Sequence, residues 1–213
     1  DALPVRLALP KGRFMSSTSA LLEEAGFALD DYNSKTRQYR IGSSRFPHVR
    51  AKILQEKDIS VHVSVGNYHL GVCGADWVRE LKSRYTASDL IEVSRLRNSD
   101  GAVYLASSVY SDLISVAALT SANRTLSIVS EYPNIANVVA AQLRLRRFRV
   151  FPVWGAANAY PPESADLVVI WARTERELLS QGLLPLRKLF DVDAVVIANS
   201  AALREQGMED VLR

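Results

Sequence analysis

The sequence predicts an α/β fold in two lobes, built on mostly parallel sheets, and three observations carry that prediction. Short apolar runs alternate with amphipathic stretches along the 213 residues, the pattern of strands joined by crossover helices. The pattern starts at Val5, restarts at Ala102, and a late apolar run, Ala194 to Ala198, returns towards the first half. Several strands end in glycine-bearing turns, at Gly12, Gly74 and Gly155, where open α/β sheets meet ligands. The first lobe is therefore placed at residues 1–98 plus 183–213 and the second at 99–182. A chain that crosses twice between lobes makes a hinge and a central cleft, and clefts favour ligands.

Element by element, Val5 to Leu9 reads as a strand that breaks at Pro10 and Gly12, followed by a helix from Ser17 to Ala25 with Leu21, Leu22 and Ala25 on one face. Val49 to Leu54 is a strand, and Asp58 is read as the N-cap of a helix ending near Gly66. Leu70 to Cys73 is a buried strand, with Asp76 capping a helix from Trp77 to Leu81. In the second half, Ala102 to Ala106 reads as a strand, Asp112 to Leu119 as a helix and Leu126 to Ser130 as a strand. Asn134 is read as capping a helix to about Arg144. Phe148 to Trp154 and Leu167 to Ala172 are strands, the second apolar throughout and so central. Glu175 to Gln181 is a helix stopped by Gly182, Ala194 to Ala198 a strand, and Ser200 opens a terminal helix.

Composition narrows the function. The chain is 48% hydrophobic and 23% charged, values of a globular protein that buries a core. A net charge of +3 suits small polyanions but does not by itself argue for nucleic acid or membrane. Cys73 is the only cysteine, which excludes an intramolecular disulfide and a thiolate zinc cluster and fits a reducing cytosol. His48, His62 and His69 lack metal-ligand spacing. No apolar run reaches the ~20 residues that span a bilayer. A soluble, cytoplasmic protein without a resident metal is expected. Arg144, Arg146, Arg147 and Arg149 form a basic run with only Phe148 among them, which fits a solvated helix end or a subunit contact better than a nucleic-acid surface.

Four turns carry candidate chemistry. In Leu9-Pro10-Lys11-Gly12-Arg13, glycine permits a tight turn, and Lys11 and Arg13 with free helix N–H groups can hold phosphate or polarise a purine. The spacing is not that of a Walker loop, and taken alone it is better explained as a basic strand–helix turn facing water. In Leu70-Gly71-Val72-Cys73-Gly74-Ala75-Asp76-Trp77, Gly71 and Gly74 bring backbone amides close to a ligand at a sheet edge, or serve only turn geometry. Cys73 reads as a small buried apolar residue. In Glu131-Tyr132-Pro133-Asn134-Ile135, Tyr132 stacks on a base or packs in the core. Trp154-Gly155-Ala156-Ala157-Asn158 is again a strand ending in a glycine turn.

In this order and spacing the four segments, with Asp58-Ile59, Ala165-Asp166-Leu167-Val168-Val169 and Val196-Ile197-Ala198-Asn199, resemble the catalytic subunit of ATP phosphoribosyltransferase across nearly the whole chain. The resemblance implies a two-lobed fold like type II periplasmic binding proteins. It implies that N1 of ATP attacks the anomeric carbon of phosphoribosyl pyrophosphate and that magnesium-bound pyrophosphate leaves, the first step of histidine biosynthesis. Mg²⁺ then enters bound to substrate. Lys11, Gly12 and Arg13 would sit near the nucleotide, Gly71 and Gly74 near pyrophosphate or ATP, with Trp154, Gly155, Arg173, Thr174 and Arg176 completing the substrate-binding set; no catalytic side chain is assigned. The length suits the short form, which works with a histidyl-tRNA-synthetase-like regulatory subunit, or a truncated long form; family members are oligomers.

One stretch departs from the family. Where the resemblance implies an acidic-x-x-x-Thr-Gly-x-Thr-Leu turn for the ribose 5-phosphate, the chain reads Ile170-Trp171-Ala172-Arg173-Thr174-Glu175-Arg176-Glu177-Leu178. Two carboxylates enter a site meant for a dianion, and like charges ~4 Å apart repel by about 4 kcal/mol at an effective dielectric near 20. Gln55, Ser60, His69 and Asn158 also replace residues usual in the family. The alternative expectation is a catalytically impaired homologue that keeps the fold as a ligand-binding or regulatory subunit.

Overall fold

The computed structural model describes residues 4–27, 29–86, 88–97 and 99–205. They fall into two compact units, one of residues 1–98 with 193–213 and one of residues 99–192.

The first unit opens with β1 (Val5–Pro10), α1 (Met15–Glu24), β2 (Arg40–Gly42) and β3 (Val49–Leu54). It continues through α2 (Glu56–Ser64), β4 (Leu70–Gly74), α3 (Ala75–Arg84) and β5 (Leu90–Leu96). The second unit holds β6 (Ala102–Ser108), α4 (Val116–Ser121), β7 (Leu126–Ser130), α5 (Pro133–Gln142) and β8 (Phe148–Pro152). A 3₁₀ turn at Ala157–Ala159, β9 (Leu167–Ala172), α6 (Glu175–Ser180) and β10 (Leu183–Asp191) complete it. The chain then returns to the first unit with β11 (Ala194–Asn199) and α7 (Ser200–Glu205).

The first sheet has the order β2-β3-β1-β4-β11-β5 and the second β10-β6-β9-β7-β8. Both are mixed, which corrects the expectation of mostly parallel sheets. Four strand pairs are parallel and five antiparallel. Four of the antiparallel pairs involve β2, β10 or β11, two of which the alternation of apolar runs does not mark, and the fifth joins β6 to β9. The unit boundary is corrected with them. Residues 183–192, expected in the first lobe, belong to the second unit, where Leu183–Asp191 form β10, paired with β6 from Leu183↔Ser108 to Asp191↔Ala102.

Alternation along the strands sets the layers. On one face of the first sheet Val5, Leu7, Leu9, Val49, Ala51, Ile53 and Leu70 are buried with Met15 of α1 and Leu203 of α7. On the other, Ala8, Cys73, Val195 and Ile197 meet Ile59 and Val63 of α2 and Val78 of α3. The second core gathers Tyr104, Ala106, Val129, Val168, Leu178 and Leu183, and β9 lies at the centre of its sheet as its unbroken apolar run predicts.

The helix starts differ from those expected. α2 begins at Glu56 after Gln55, and α3 begins at Ala75 after Gly74; neither start has a side-chain cap, and Asp58 and Asp76 lie inside the first turn. Asn134 likewise lies one residue inside α5, which starts at Pro133, whose fixed φ suits the first helical position. α4 starts late, at Val116, because Ser115 caps it by accepting from Ala118 N–H at 3.2 Å.

Candidate functional site

β1 and β3 run parallel in register, so both release the chain at one edge of the first sheet. There Lys11 N–H donates to Leu54 O at 3.0 Å, tying the two strand ends. Gly12 turns the chain with φ +97° and has open space where a side chain would start. A cavity of about 230 Å³ opens beside this turn, lined by Lys11 and Met15, by Ile53, and by Ser34, Thr36, Arg37, Gln38 and Tyr39. The segment 34–39 is shaped by local bonds. Asn33 Oδ1 accepts from Lys35 N–H at 2.9 Å, Thr36 Oγ1 accepts from Gln38 N–H at 3.3 Å, and Ile53 N–H donates to Tyr39 O at 2.8 Å. Lys11 Nζ lies 5.8 Å from the Tyr39 ring centre. Two cations, three neutral polar side chains and an aromatic face can hold a phosphorylated, aromatic-bearing anion. Sequence reasoning found Lys11 and Gly12 but missed residues 34–39, whose only signal is a basic, polar stretch between strands. A second cavity in this unit, about 290 Å³ between α1 and the sheet, is lined by apolar residues and Ser94 with no charged group.

Arg13 faces elsewhere. Its Nε donates to Glu56 Oε2 at 2.9 Å, and its NH2 donates to both Asp76 oxygens at 2.8 and 2.7 Å. Glu56 Oε1 also accepts from Gly74 N–H at 2.8 Å. The arginine side chain is 11% exposed and the Asp76 side chain fully buried. Burial pushes the Glu56 carboxyl up, and Arg13 beside it pulls the other way without offsetting it. Arg13 thus forms a buried charge cluster that spans three strand–helix turns, and it does not line the Lys11 cavity.

Gly71 and Gly74 are also explained within the fold. A Cβ on Gly71 would lie 2.8 Å from Ile59 Cγ2 and 2.9 Å from Val63 Cγ2, so the missing side chain lets α2 sit on β4. A Cβ on Gly74 would lie 2.2 Å from Asp76 Oδ1 and 2.4 Å from Arg13 NH2, inside the charge cluster. Cys73 is fully buried, and burial, with Glu56 and Asp76 nearby, raises its thiol well above the ordinary range; it is a core residue, as read. His69 is 1% exposed, and its Nδ1 accepts from Arg6 N–H at 2.9 Å. Burial and Arg6 lower its pKa. Gln55 occupies the N-cap position of α2 and Ser60 is buried within the helix.

In the second unit β7, β8 and β9 are mutually parallel, so the turns after them share one edge. Trp154 is 79% exposed. Gly155 and Ala156 follow it at positive φ, 133° and 51°, with Glu131 Oε1 3.8 Å from where a Gly155 Cβ would be. Tyr132 is buried, which favours core packing over base stacking. After β9 the Arg173 guanidinium donates to Asp100 Oδ1 at 3.0 Å, while Arg173 N–H donates to Glu177 Oε2 at 2.8 Å. Thr174 caps α6 by accepting from Glu177 N–H at 3.2 Å. This is close to a capping box: the Glu177 carboxylate takes a backbone donor that an incoming anion would otherwise use. Arg176 and Glu175 are exposed. The basic run is dispersed: Arg144 sits in a positive-φ turn, Arg147 donates to Asn123 O at 2.7 Å, and Arg149 lies on β8.

Among the described residues, no three His, Cys, Asp or Glu side chains converge to hold a metal, and no helix is long and apolar enough to cross a membrane. A family model described as HisG, ATP phosphoribosyltransferase, matches residues 55–213. An ATP phosphoribosyltransferase of Prosthecochloris aestuarii is 28% identical over 200 residues, covering 92% of this chain and 63% of that protein. One of Caldicellulosiruptor bescii is 28% identical over 201 residues, covering 94% of this chain and 91% of that protein. The chain therefore spans less than two thirds of the length of the first relative but nearly all of the second. Among solved structures, an ATP phosphoribosyl transferase (HisG:HisZ) complex from Thermotoga maritima superimposes with TM-score 0.75 at 19% identity, covering 97% of this chain and 93% of that chain. The periplasmic aliphatic sulphonate binding protein SsuA from Escherichia coli follows at TM-score 0.57 and 16% identity, covering 98% and 69%. These likenesses are of fold, and they agree with the periplasmic-binding-protein-like architecture expected from the sequence. With the match over residues 55–213, the chain belongs to the ATP phosphoribosyltransferase family.

Proposed function

We propose that the protein is an ATP phosphoribosyltransferase, which joins N1 of ATP to the anomeric carbon of phosphoribosyl pyrophosphate and releases pyrophosphate, the first step of histidine biosynthesis. The observation that carries this reading beyond family membership is the cavity at the end of β1, where Lys11 meets Arg37, Thr36, Gln38 and Tyr39. In the reaction the N1 lone pair forms the new C–N bond as the C–O bond to pyrophosphate breaks, and the bonding pair leaves with pyrophosphate. Such a displacement asks the protein to hold two polyanions in line and balance their charge. Lys11 and Arg37 supply positive charge beside the nucleotide, and the hydroxyls of Ser34 and Thr36 can donate to phosphate oxygens. Mg²⁺ enters bound to the pyrophosphate moiety of the substrate.

The HisG:HisZ complex supports a second subunit as partner; with the family resemblance, the protein is assigned as a cytoplasmic homo-oligomer working with a histidyl-tRNA-synthetase-like regulatory subunit. The second-unit turns around Trp154, Gly155, Arg173, Thr174 and Arg176 are assigned to phosphoribosyl pyrophosphate. The test is formation of phosphoribosyl-ATP and pyrophosphate from the two substrates with Mg²⁺, by the protein alone and with a regulatory subunit. Turnover that depends on both substrates supports the assignment; none in either mixture rejects it.

A further inference from the structure

Resting on the nucleotide reading of the Lys11 cavity, we propose that Arg13 is a positioning residue: held by Glu56 and Asp76, it fixes the Gly12 turn and so aims Lys11 into the cavity without touching the nucleotide itself. Arg13 and Lys11 are separated by one glycine, yet only Lys11 lines the cavity. Gly12 is at φ +97° with no atom within 4 Å of where its Cβ would be. No packing holds the turn from that side, so its shape is set by what grips its two ends.

On one end Tyr32 Oη donates to Pro10 O at 2.8 Å, and Lys11 N–H donates to Leu54 O at 3.0 Å. On the other, the Arg13 fork meets two carboxylates, Glu56 at the start of α2 and Asp76 in the first turn of α3. Its planar face also lies 4.8 Å from the ring centre of the buried Phe14. One side chain thus references the β1–α1 turn to the helices that follow β3 and β4. A planar, multidentate guanidinium can bridge two carboxylates in this way, and a lysine ammonium cannot reproduce the fork.

The test measures ATP binding by calorimetry at several salt concentrations for the intact protein and for Lys11→Met, Arg13→Lys, Arg13→Gln, Glu56→Gln and Arg13→Gln/Glu56→Gln. A residue that faces the triphosphate contributes a salt-screened attraction. Lys11→Met therefore weakens ATP and flattens its salt dependence. Arg13→Lys, Arg13→Gln and Glu56→Gln each weaken ATP about tenfold and shift the salt dependence towards that of Lys11→Met; made in the Lys11→Met background, Arg13→Gln costs little further affinity, because it acts through Lys11. The Arg13→Gln/Glu56→Gln double variant is no weaker than the worse single one, because both remove the same constraint. The inference is overturned if Arg13→Lys keeps intrinsic affinity, if Arg13→Gln still weakens ATP about tenfold when Lys11 is already replaced by Met, or if Glu56→Gln is silent.

Should the buried-cluster variants fail to fold, Gly12→Ala carries the test, since it strains the turn without touching the cluster. It should lose ATP affinity at an unchanged melting temperature to within a few degrees, and intact affinity would overturn the inference. Failure of the underlying reading looks different. If Lys11→Met binds ATP as the intact protein does, the cavity assignment falls whatever the Arg13 variants do; if the intact protein does not bind ATP, both fall.

Discussion

Gly71→Ala separates two roles for a glycine that the family resemblance places near a ligand. The added methyl would stand 2.8 and 2.9 Å from the Cγ2 atoms of Ile59 and Val63, both completely buried on the sheet-facing side of α2. Neither neighbour is a flexible side-chain end, so the helix must lift off β4 or both β-branched rotamers must change. Overpacking of this kind costs about 1–3 kcal/mol, and a chain of this length loses roughly 2–4 °C per kcal/mol. The melting temperature should fall by about 2–12 °C. The assay is thermal denaturation, paired with an ATP titration well below the transition. ATP affinity should stay within about twofold of the intact protein, since the methyl points under the helix and away from the Lys11 cavity. An unchanged melting temperature with ATP binding lost would place a ligand against Gly71 and refute the packing argument.

Three further outcomes are expected. Glu177→Thr frees the Arg173 amide and removes a negative charge from the turn after β9, so phosphoribosyl pyrophosphate should bind about tenfold tighter; equal affinity would mean that this turn does not receive the ribose phosphate. The lowered pKa of buried His69 means that the unfolded chain takes up its proton first as pH falls below about 6.5. Stability contributed by neutral His69 is present above that pH and declines below it, and His69→Asn should flatten the fall in melting temperature between about pH 7 and 5. Burial alone would raise the Asp166 pKa, but Ser127 N–H and Oγ–H and the Arg124 guanidinium outweigh it and lower the value. The stabilisation is present above the ordinary carboxylate value near about 3.9 and lost as pH falls through the folded value. Asp166→Asn should therefore melt lower at pH 7, with the gap closing in acid; a gap independent of pH would refute the charge argument.

The strands most legible in the sequence were those buried on both faces or cleanly alternating. β3, β7 and β9 have the bounds that the sequence predicts: β7 and β9 because burial leaves little room for polar residues, and β3 because buried Val49, Ala51 and Ile53 alternate with Arg50 and Lys52. β10 was unreadable for the opposite reason: Pro185, Arg187, Lys188 and Asp191 lie on an edge strand with two register shifts, where polar side chains meet solvent. β5 carries exposed Glu92 and Arg95 for the same reason. Asp58 and Asp76 look like caps because aspartate favours that position, but the helices begin earlier and Asp76 is spent on Arg13. At the site, Lys11 and Gly12 were legible from a turn motif, whereas Thr36 and Arg37 reach it from a loop whose position depends on a backbone bond from Ile53 to Tyr39. Glu56 and Asp100, which hold Arg13 and Arg173, are distant in sequence from the residues they hold, and no local pattern announces them.

The place of β11 has a consequence for how the chain is made. This strand lies between β4 and β5, yet it is synthesised after the whole of the second unit. As the chain emerges from a ribosome, residues 99–192 contain all five strands of their own sheet and can close at once. The first sheet must wait, its β5 without a neighbour and one edge of β4 open, until residues 194–199 arrive. The second unit should therefore be the early, autonomous folder, with the first completed by a late insertion of long sequence separation. A fragment ending at residue 98 would present an unpaired edge prone to self-association, and joining residues 193–205 directly after it would restore the missing strand.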